Sequence, residues 1–211
     1  LQMPSVSERN SLEQATQAYE ADIHLAESYL AARGIPLETA RTYRLGFVTV
    51  ANAQPGDTDM IGRLAIPFVT PNGGVIDMRF RDISGEARAK YLSKPGSHTR
   101  LFGVGNLLKP SPFVCITEGE MDCIVADGLC GLPSVGVPGA SNWQSHYPLL
   151  FEERKVFVLC DGDAAGREFG KKIAASVQGA TPIFMPDGMD VNEVFLKFGP
   201  AEVRRKVGVS E

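Results

Sequence analysis

Three short acidic segments hold the side chains of this 211-residue sequence best suited to chemistry: Glu118-Gly119-Glu120-Met121-Asp122, Asp161-Gly162-Asp163, and Asp187-Gly188-Met189-Asp190-Val191-Asn192-Glu193. Each follows a run of strand-like composition, at residues 113–117, 156–160 and 181–185. Carboxylates gathered at one rim raise one another's pKa, so such a cluster is unfavourable unless cations compensate it. Magnesium or manganese is the natural partner, because hard divalent ions prefer oxygen ligands and keep open positions for phosphate and water. Sites of that kind serve phosphoryl and nucleotidyl transfer. Taken singly, Glu118, Asp122, Asp161, Asp163 and Asp190 also read as caps of the helices that follow.

Other chemistries are poorly served. The cysteines at 115, 123, 130 and 160 lack the two-to-four-residue spacing of a thiolate zinc site, and Cys115 and Cys160 sit inside apolar runs, where they read as buried thiols. His24, His98 and His146 do not cluster at ligand spacing. The formal charge of −4 hides a segregation: Arg63 to Lys109 carries eight Lys/Arg against three Asp/Glu, whereas Glu118 to Glu193 carries five against twelve. Such blocks are ordinarily two solvated faces; they also suit a phosphate-binding surface and a metal-binding acidic cluster.

The elements that must position these residues change character along the chain. Tyr19, Ile23, Ala26 and Leu30 define one face of a helix within residues 15–32, and Pro36 opens a second short helix ending near Tyr43. Strands follow at Leu64–Val69 and Val75–Arg81 around a Pro71-Asn72-Gly73-Gly74 turn, with Lys90-Tyr91-Leu92 as a third. The period of two puts Ile76, Met78 and Phe80 on one face and Asp77, Arg79 and Arg81 on the other. After Pro110 strands (113–117, 133–137, 156–160, 181–185) alternate with helical stretches (121–129, 144–151, 165–177, 190–206), the rhythm of a parallel α/β sheet whose strand ends open on one edge. The Lys109-Pro110-Ser111-Pro112 segment divides the chain into an α+β part, 1–110, and an α/β part, 111–211.

The three acidic motifs, in order and at strand ends, resemble the Toprim domain shared by DnaG-type primases, topoisomerases, recombination mediators and some nucleases. The flanks narrow the resemblance. Tyr29 to Ile35, Arg44-Leu45-Gly46-Phe47, Gly62-Arg63-Leu64 with Ile66-Pro67-Phe68, Gly74 to Arg81 and Lys90-Tyr91-Leu92-Ser93 are similar to the DnaG-type catalytic core, over roughly residues 25 to 200. That resemblance implies a Rossmann-like parallel sheet flanked by helices, preceded by a small basic α+β subdomain. It implies a nucleotidyltransferase, a phage- or plasmid-like DNA primase that joins ribonucleoside triphosphates on a single-stranded DNA template with Mg2+ or Mn2+. Carried over by position, the catalytic and metal-binding acids fall on Glu118, Asp161 and Asp163, with Asp187 and Asp190 as further metal ligands. Asn192 stands where many members have a second aspartate.

The family's basic groove falls on Arg63, Arg79, Arg81 and Lys90, with Lys94 and Arg100 as looser matches. A replicative helicase, separate or fused, is the implied partner. A Toprim nuclease and a non-catalytic Toprim nucleic-acid-binding module are the alternatives. Composition near the globular average, no apolar run approaching ~20 residues and no leader-like first residues predict a cytoplasmic protein without a membrane partner; the phage-like resemblance implies that the cytoplasm is that of a bacterial host cell. A chain that opens on leucine reads as a piece of something longer.

Overall fold

Ser5 and Glu8 start the first helix, α1 (Val6–Ala21), with a reciprocal capping box: Ser5 Oγ accepts from Glu8 N–H and Glu8 Oε2 accepts from Ser5 N–H. The structure, a computed structural model, describes residues 3–98 and 100–209. The helix expected from residue 15 to 32 therefore starts at Val6, and it breaks at Asp22 into a 3-10 turn (Ile23–Ala26) followed by α2 (Glu27–Ala32). Asp22 is drawn out of the helix pattern because its carboxylate accepts from Asn52 Nδ2 and Thr49 Oγ1. After α3 (Leu37–Thr42) the chain enters β1 (Gly46–Phe47), where a Cβ on Gly46 would lie 2.5 Å from Tyr19, so only glycine lets this strand run against α1. Arg44, in the left-handed region at φ 57°, clamps the same junction by pairing with Glu13 and Glu20.

Strands β2 (Arg63–Val69), β3 (Val75–Asp82) and β4 (Tyr91–Ser93) complete an antiparallel sheet in the order β1-β2-β3-β4. The period of two holds for one face: Met78 and Phe80 are buried with Ala15, Tyr19, Val48, Met60 and Ala65. The opposite face is not a bare solvated surface, since Asp77 and Arg81 are also buried.

The second sheet is parallel, in the order β6-β5-β7-β8, from β5 (Phe113–Thr117), β6 (Ser134–Gly136), β7 (Lys155–Cys160) and β8 (Thr181–Phe184). Its helices are α4 (Glu120–Ile124), prolonged by a π turn over Val125–Leu129, then α5 (Ala164–Ser176), α6 (Val191–Phe198) and α7 (Pro200–Val207). The expected helix over 190–206 is two helices, because Gly199 at φ 80° followed by Pro200 breaks it. The expected helix over 144–151 is a 3-10 turn, Tyr147–Phe151, with Phe151 stacked on Trp143 and Tyr147 set edge-on to it. Trp143 is buried and its Nε1–H donates to Ser176 Oγ, a packing role.

The chain divides into two compact units, Leu1–His98 and Thr99–Glu211. The stretch before Pro110 packs into the second of these, where Leu101 joins the core and Phe102 exchanges backbone bonds with Gly136. All four cysteines are free and buried. Among the described residues no helix is long and apolar enough to cross a membrane.

Candidate active site

The acidic motifs meet where the parallel sheet changes direction. From β5 the chain crosses to β6 on one side, and from β7 to β8 on the other, so β5 and β7 are neighbours whose connections diverge. That is the topological switch point at which α/β sheets collect ligands. Register pairs Thr117 with Leu159, and one step further Glu118 Oε1 accepts a hydrogen bond of 2.9 Å from Asp161 N–H.

Two glycines let the second and third motifs interlock. A Cβ on Gly162 would lie 1.8 Å from the Pro186 carbonyl oxygen, and one on Gly166 would lie 2.2 Å from that of Asp161. With those side chains absent, Gly162 N–H donates to Met189 O and Gly188 N–H donates to Gly162 O, a two-bond clasp between the loops after β7 and β8. The first motif joins through Asp122, whose Oδ1 accepts from the backbone N–H of Asn192 at 3.1 Å. Asn192 is buried at the start of α6, where its backbone rather than its side chain makes this link.

Capping and clustering hold together. Asp163 Oδ1 caps α5 by accepting from Gly166 N–H, and Asp190 Oδ1 caps α6 in a capping box with Glu193. The same carboxylates act on Asp161, whose pKa is pushed up to about 8, first by burial and then by the like charges of Asp122, Glu118, Asp190 and Asp163. Glu118 is also raised, by burial first and with Asp163 adding to it, against the opposing hydrogen bond from Asp161 N–H.

Four of the five predicted acids are thus coupled electrostatically: Glu118, Asp161, Asp163 and Asp190. Asp187 is exposed and lines an open depression of about 430 Å³ with Met189, Leu196 and Lys197. Asp122 is the acid that residue-by-residue carry-over missed. The signal was present in the Glu118-Gly119-x-x-Asp122 spacing, which puts Asp122 on the first turn of α4.

Among the described residues no three His, Cys, Asp or Glu side chains close on one point as a preset metal cage. The donor set nevertheless suits a hard divalent ion. Magnesium usually takes one or two protein carboxylates and completes its shell with water and phosphate. A carboxylate held above its ordinary pKa by burial and by four like neighbours is where a cation relieves the most repulsion.

The predicted basic residues are placed less uniformly. Arg63 is buried and donates from Nη1 to Ala89 O. Arg81 is buried beneath Tyr29 and Tyr91, and its Nη1 donates to Tyr91 Oη. Arg79 is half-buried with its guanidinium carbon 4.2 Å from the centre of the Tyr91 ring, and Lys90 is exposed. Lys94 pairs at 2.7 Å with the carboxylate of Asp57, which also accepts from Tyr19 Oη. Arg100 is buried in the second unit.

Comparison with known proteins agrees with this architecture. The family described as Toprim-like matches residues 115–195. The Gene 57 protein of Mycobacterium phage D29 is 42% identical over 143 residues, which is 65% of this chain and 93% of that protein. The DNA primase of Aquifex aeolicus is 29% identical over 201 residues, covering 88% of this chain but 37% of that primase. Among solved structures, the zinc-binding and RNA polymerase domains of Aquifex aeolicus primase align with a TM-score of 0.81 at 24% identity, over 95% of this chain and 60% of that one. The RNA polymerase domain of Mycobacterium tuberculosis primase DnaG aligns at 0.80 and 22% identity, over 97% and 84%. With its switch-point acids and its glycine clasp, the chain carries a Toprim-like domain, has the fold of DnaG-type primase catalytic cores, and belongs to one family with the phage D29 Gene 57 protein.

Proposed function

We propose that this chain is the polymerising core of a DNA primase, which joins ribonucleoside triphosphates on a single-stranded DNA template. The observation that carries this reading is the convergence of Glu118, Asp122, Asp163 and Asp190 on Asp161 at the switch point, with Asp161 held at about 8. The new bond is O3′–Pα, and the bond broken releases pyrophosphate, so no protein nucleophile is needed. Bound magnesium or manganese supplies the positive charge that such a reaction develops a need for.

The chain's own residues have separate tasks. Glu118 is oriented by the Asp161 N–H bond to its Oε1, which fixes the direction of its other oxygen. Asp161 is the acid that burial and like charge penalise most, so it is the chief candidate to hold a cation, with Asp122, the first of the like charges acting on it, as its companion. Asp163 and Asp190 spend Oδ1 on their helices and keep their positions through those caps. Arg79 and Lys90 offer cations to phosphates of template or triphosphate, while Arg63, Arg81 and Lys94 support the sheet that carries them.

A likeness in fold to a DnaG primase catalytic domain whose solved structure is bound to single-stranded DNA favours the same ligand here. The replicative helicase belongs to this reading as the partner that would supply such DNA. Incubation with single-stranded DNA, labelled ribonucleotides and Mg2+ or Mn2+ tests it. New oligoribonucleotides, lost in Asp161→Ala, are expected. Shortened DNA would make the chain a nuclease, and binding without either product would make it a non-catalytic module.

A further inference from the structure

The covered face of the antiparallel sheet carries an alternating stack of cations and tyrosines. Register places Tyr91 of β4 opposite Arg81 of β3, with Arg79 opposite Ser93. The Tyr91 ring centre lies 4.2 Å from the guanidinium carbon of Arg79 and 5.2 Å from that of Arg81, and its hydroxyl accepts from Arg81 Nη1. Behind Arg81, the Tyr29 ring of α2 lies 5.8 Å away and is itself 5.2 Å from the guanidinium carbon of Arg33. The order is Arg33, Tyr29, Arg81, Tyr91, Arg79.

Burial grades this stack. Arg81 is only 6% exposed and its Nε makes no hydrogen bond, so it is committed to the two rings. Arg79 is the half-buried member on the far side of Tyr91. A guanidinium resting on an aromatic face keeps its N–H donors in the guanidinium plane, pointing past the ring edge, with few rotamers left to lose on binding. The hydroxyl bond to buried Arg81 fixes the ring in turn. A Tyr91 ring already used by two guanidinium groups is also a poor platform for a base.

We propose that Tyr91 is a positioning residue: it holds the Arg79 guanidinium in the orientation that binds a phosphate of the nucleic acid or of the incoming triphosphate. This rests on the reading of Arg79 as a phosphate ligand, and the test separates the two.

A double-mutant cycle in the full chain uses Arg79→Ala, Tyr91→Leu and the double variant, with Tyr91→Phe and Tyr91→Trp as rescues. Binding of fluorescent oligothymidylate and the nucleotide KM in primer synthesis are read separately, with far-UV circular dichroism as the fold control. Arg79→Ala and Tyr91→Leu should each weaken binding or raise KM by about 5- to 10-fold with kcat little changed, the range a partly desolvated cation–π contact supports. Tyr91→Leu should add less than about 2-fold when Arg79 is already Ala, and Phe or Trp should restore most of the loss. Coupling in the oligonucleotide arm assigns the phosphate to the template, and coupling in the KM arm assigns it to the triphosphate.

If Arg79→Ala changes neither quantity, Arg79 is no phosphate ligand and the basic-face reading fails with the proposal. If Arg79→Ala weakens binding while Tyr91→Leu does nothing, or costs the same in both backgrounds, the positioning role alone fails. Should Tyr91→Leu not fold, the wild type decides: Arg79 Hδ protons shifted upfield by the ring support the stack, and ordinary shifts overturn it.

Discussion

The acidic rim of the second unit and the guanidinium face of the first solve the same electrostatic problem in opposite ways. At the rim, backbone geometry forces like charges together: the Gly162 clasp, the bond from Asp161 N–H to Glu118 and the bond from Asn192 N–H to Asp122 converge the acids, and the charges that act on Asp161 are carboxylates. On the first unit, Tyr29 and Tyr91 interleave Arg81 and Arg79, spreading positive charge over aromatic faces. One region gathers repulsion that a cation would relieve; the other shares its charge with tyrosine rings and keeps Arg79 as its more open end. An unfavourable cluster held by interlocked backbone points to a binding site more strongly than a favourable one does.

The sharpest way to break that contrast is to remove the acid at its centre. Asp161→Ala should cut primer synthesis on the order of 10²-fold or more while the protein stays folded, measured as labelled oligoribonucleotide formed per minute. Wild-type rates in that variant would take Asp161 out of the reaction.

Next comes the scaffold of the rim. Gly162→Ala sets a methyl 1.8 Å from the Pro186 carbonyl, so the clasp must open. Overpacking against backbone typically costs about 1–3 kcal/mol, and each kcal/mol corresponds to a fall of about 2–4 °C in Tm for a chain of this size. Calorimetry should show that fall, with synthesis lost alongside it; an unchanged Tm would show that the loops after β7 and β8 are not interlocked.

A pair of charge removals on the first unit sharpens the other side. Lys94→Met strips a partner from the nearly inaccessible carboxylate of Asp57, which should cost on the order of 1 kcal/mol of stability, at the low end because Lys94 itself is partly exposed. Arg79→Met should leave Tm nearly unchanged and instead reduce the salt slope of oligonucleotide binding by about 1. The opposite pairing of effects would exchange the structural and ligand-binding roles assigned to these two cations.

The rim also predicts a pH dependence. The Asp161 carboxyl is raised in the folded chain to about 8, against about 3.9 in an unfolded one. Its contribution is fully present below the unfolded value and is lost as pH rises through about 8, because only the unfolded chain ionises the group easily. Asp161→Asn should therefore raise Tm more at pH 8.5 than at pH 5 in metal-free buffer. An equal gain at both values would mean that Asp161 ionises normally in the fold.

Much of this was legible from local pattern. The hairpin of β2 and β3 shows in its Asn72-Gly73-Gly74 turn and in the alternation that buries Met78 and Phe80. The parallel sheet shows in the strand and helix rhythm after Pro110, and the acids at strand ends follow from it. The start of α1 was readable too, since Ser5 and Glu8 have capping-box spacing, but the apolar periodicity only begins further along the helix. What local pattern could not supply is cover from distant residues. Alternation assigns Arg81 to an open face, yet Tyr29 of α2 and Tyr91 close over it. Lys94 has the type of a phosphate ligand and the surroundings of a counterion, a difference fixed by Asp57 on another loop.

Manganese binding to the metal-free protein tests the rim most directly. Electron paramagnetic resonance titration at pH 8 should show tight Mn2+ uptake by the wild type, displaced by excess Mg2+, and strongly weakened in both Asp161→Asn and Asp122→Asn. Uptake of equal strength in all three proteins would contradict a cation site built on these acids.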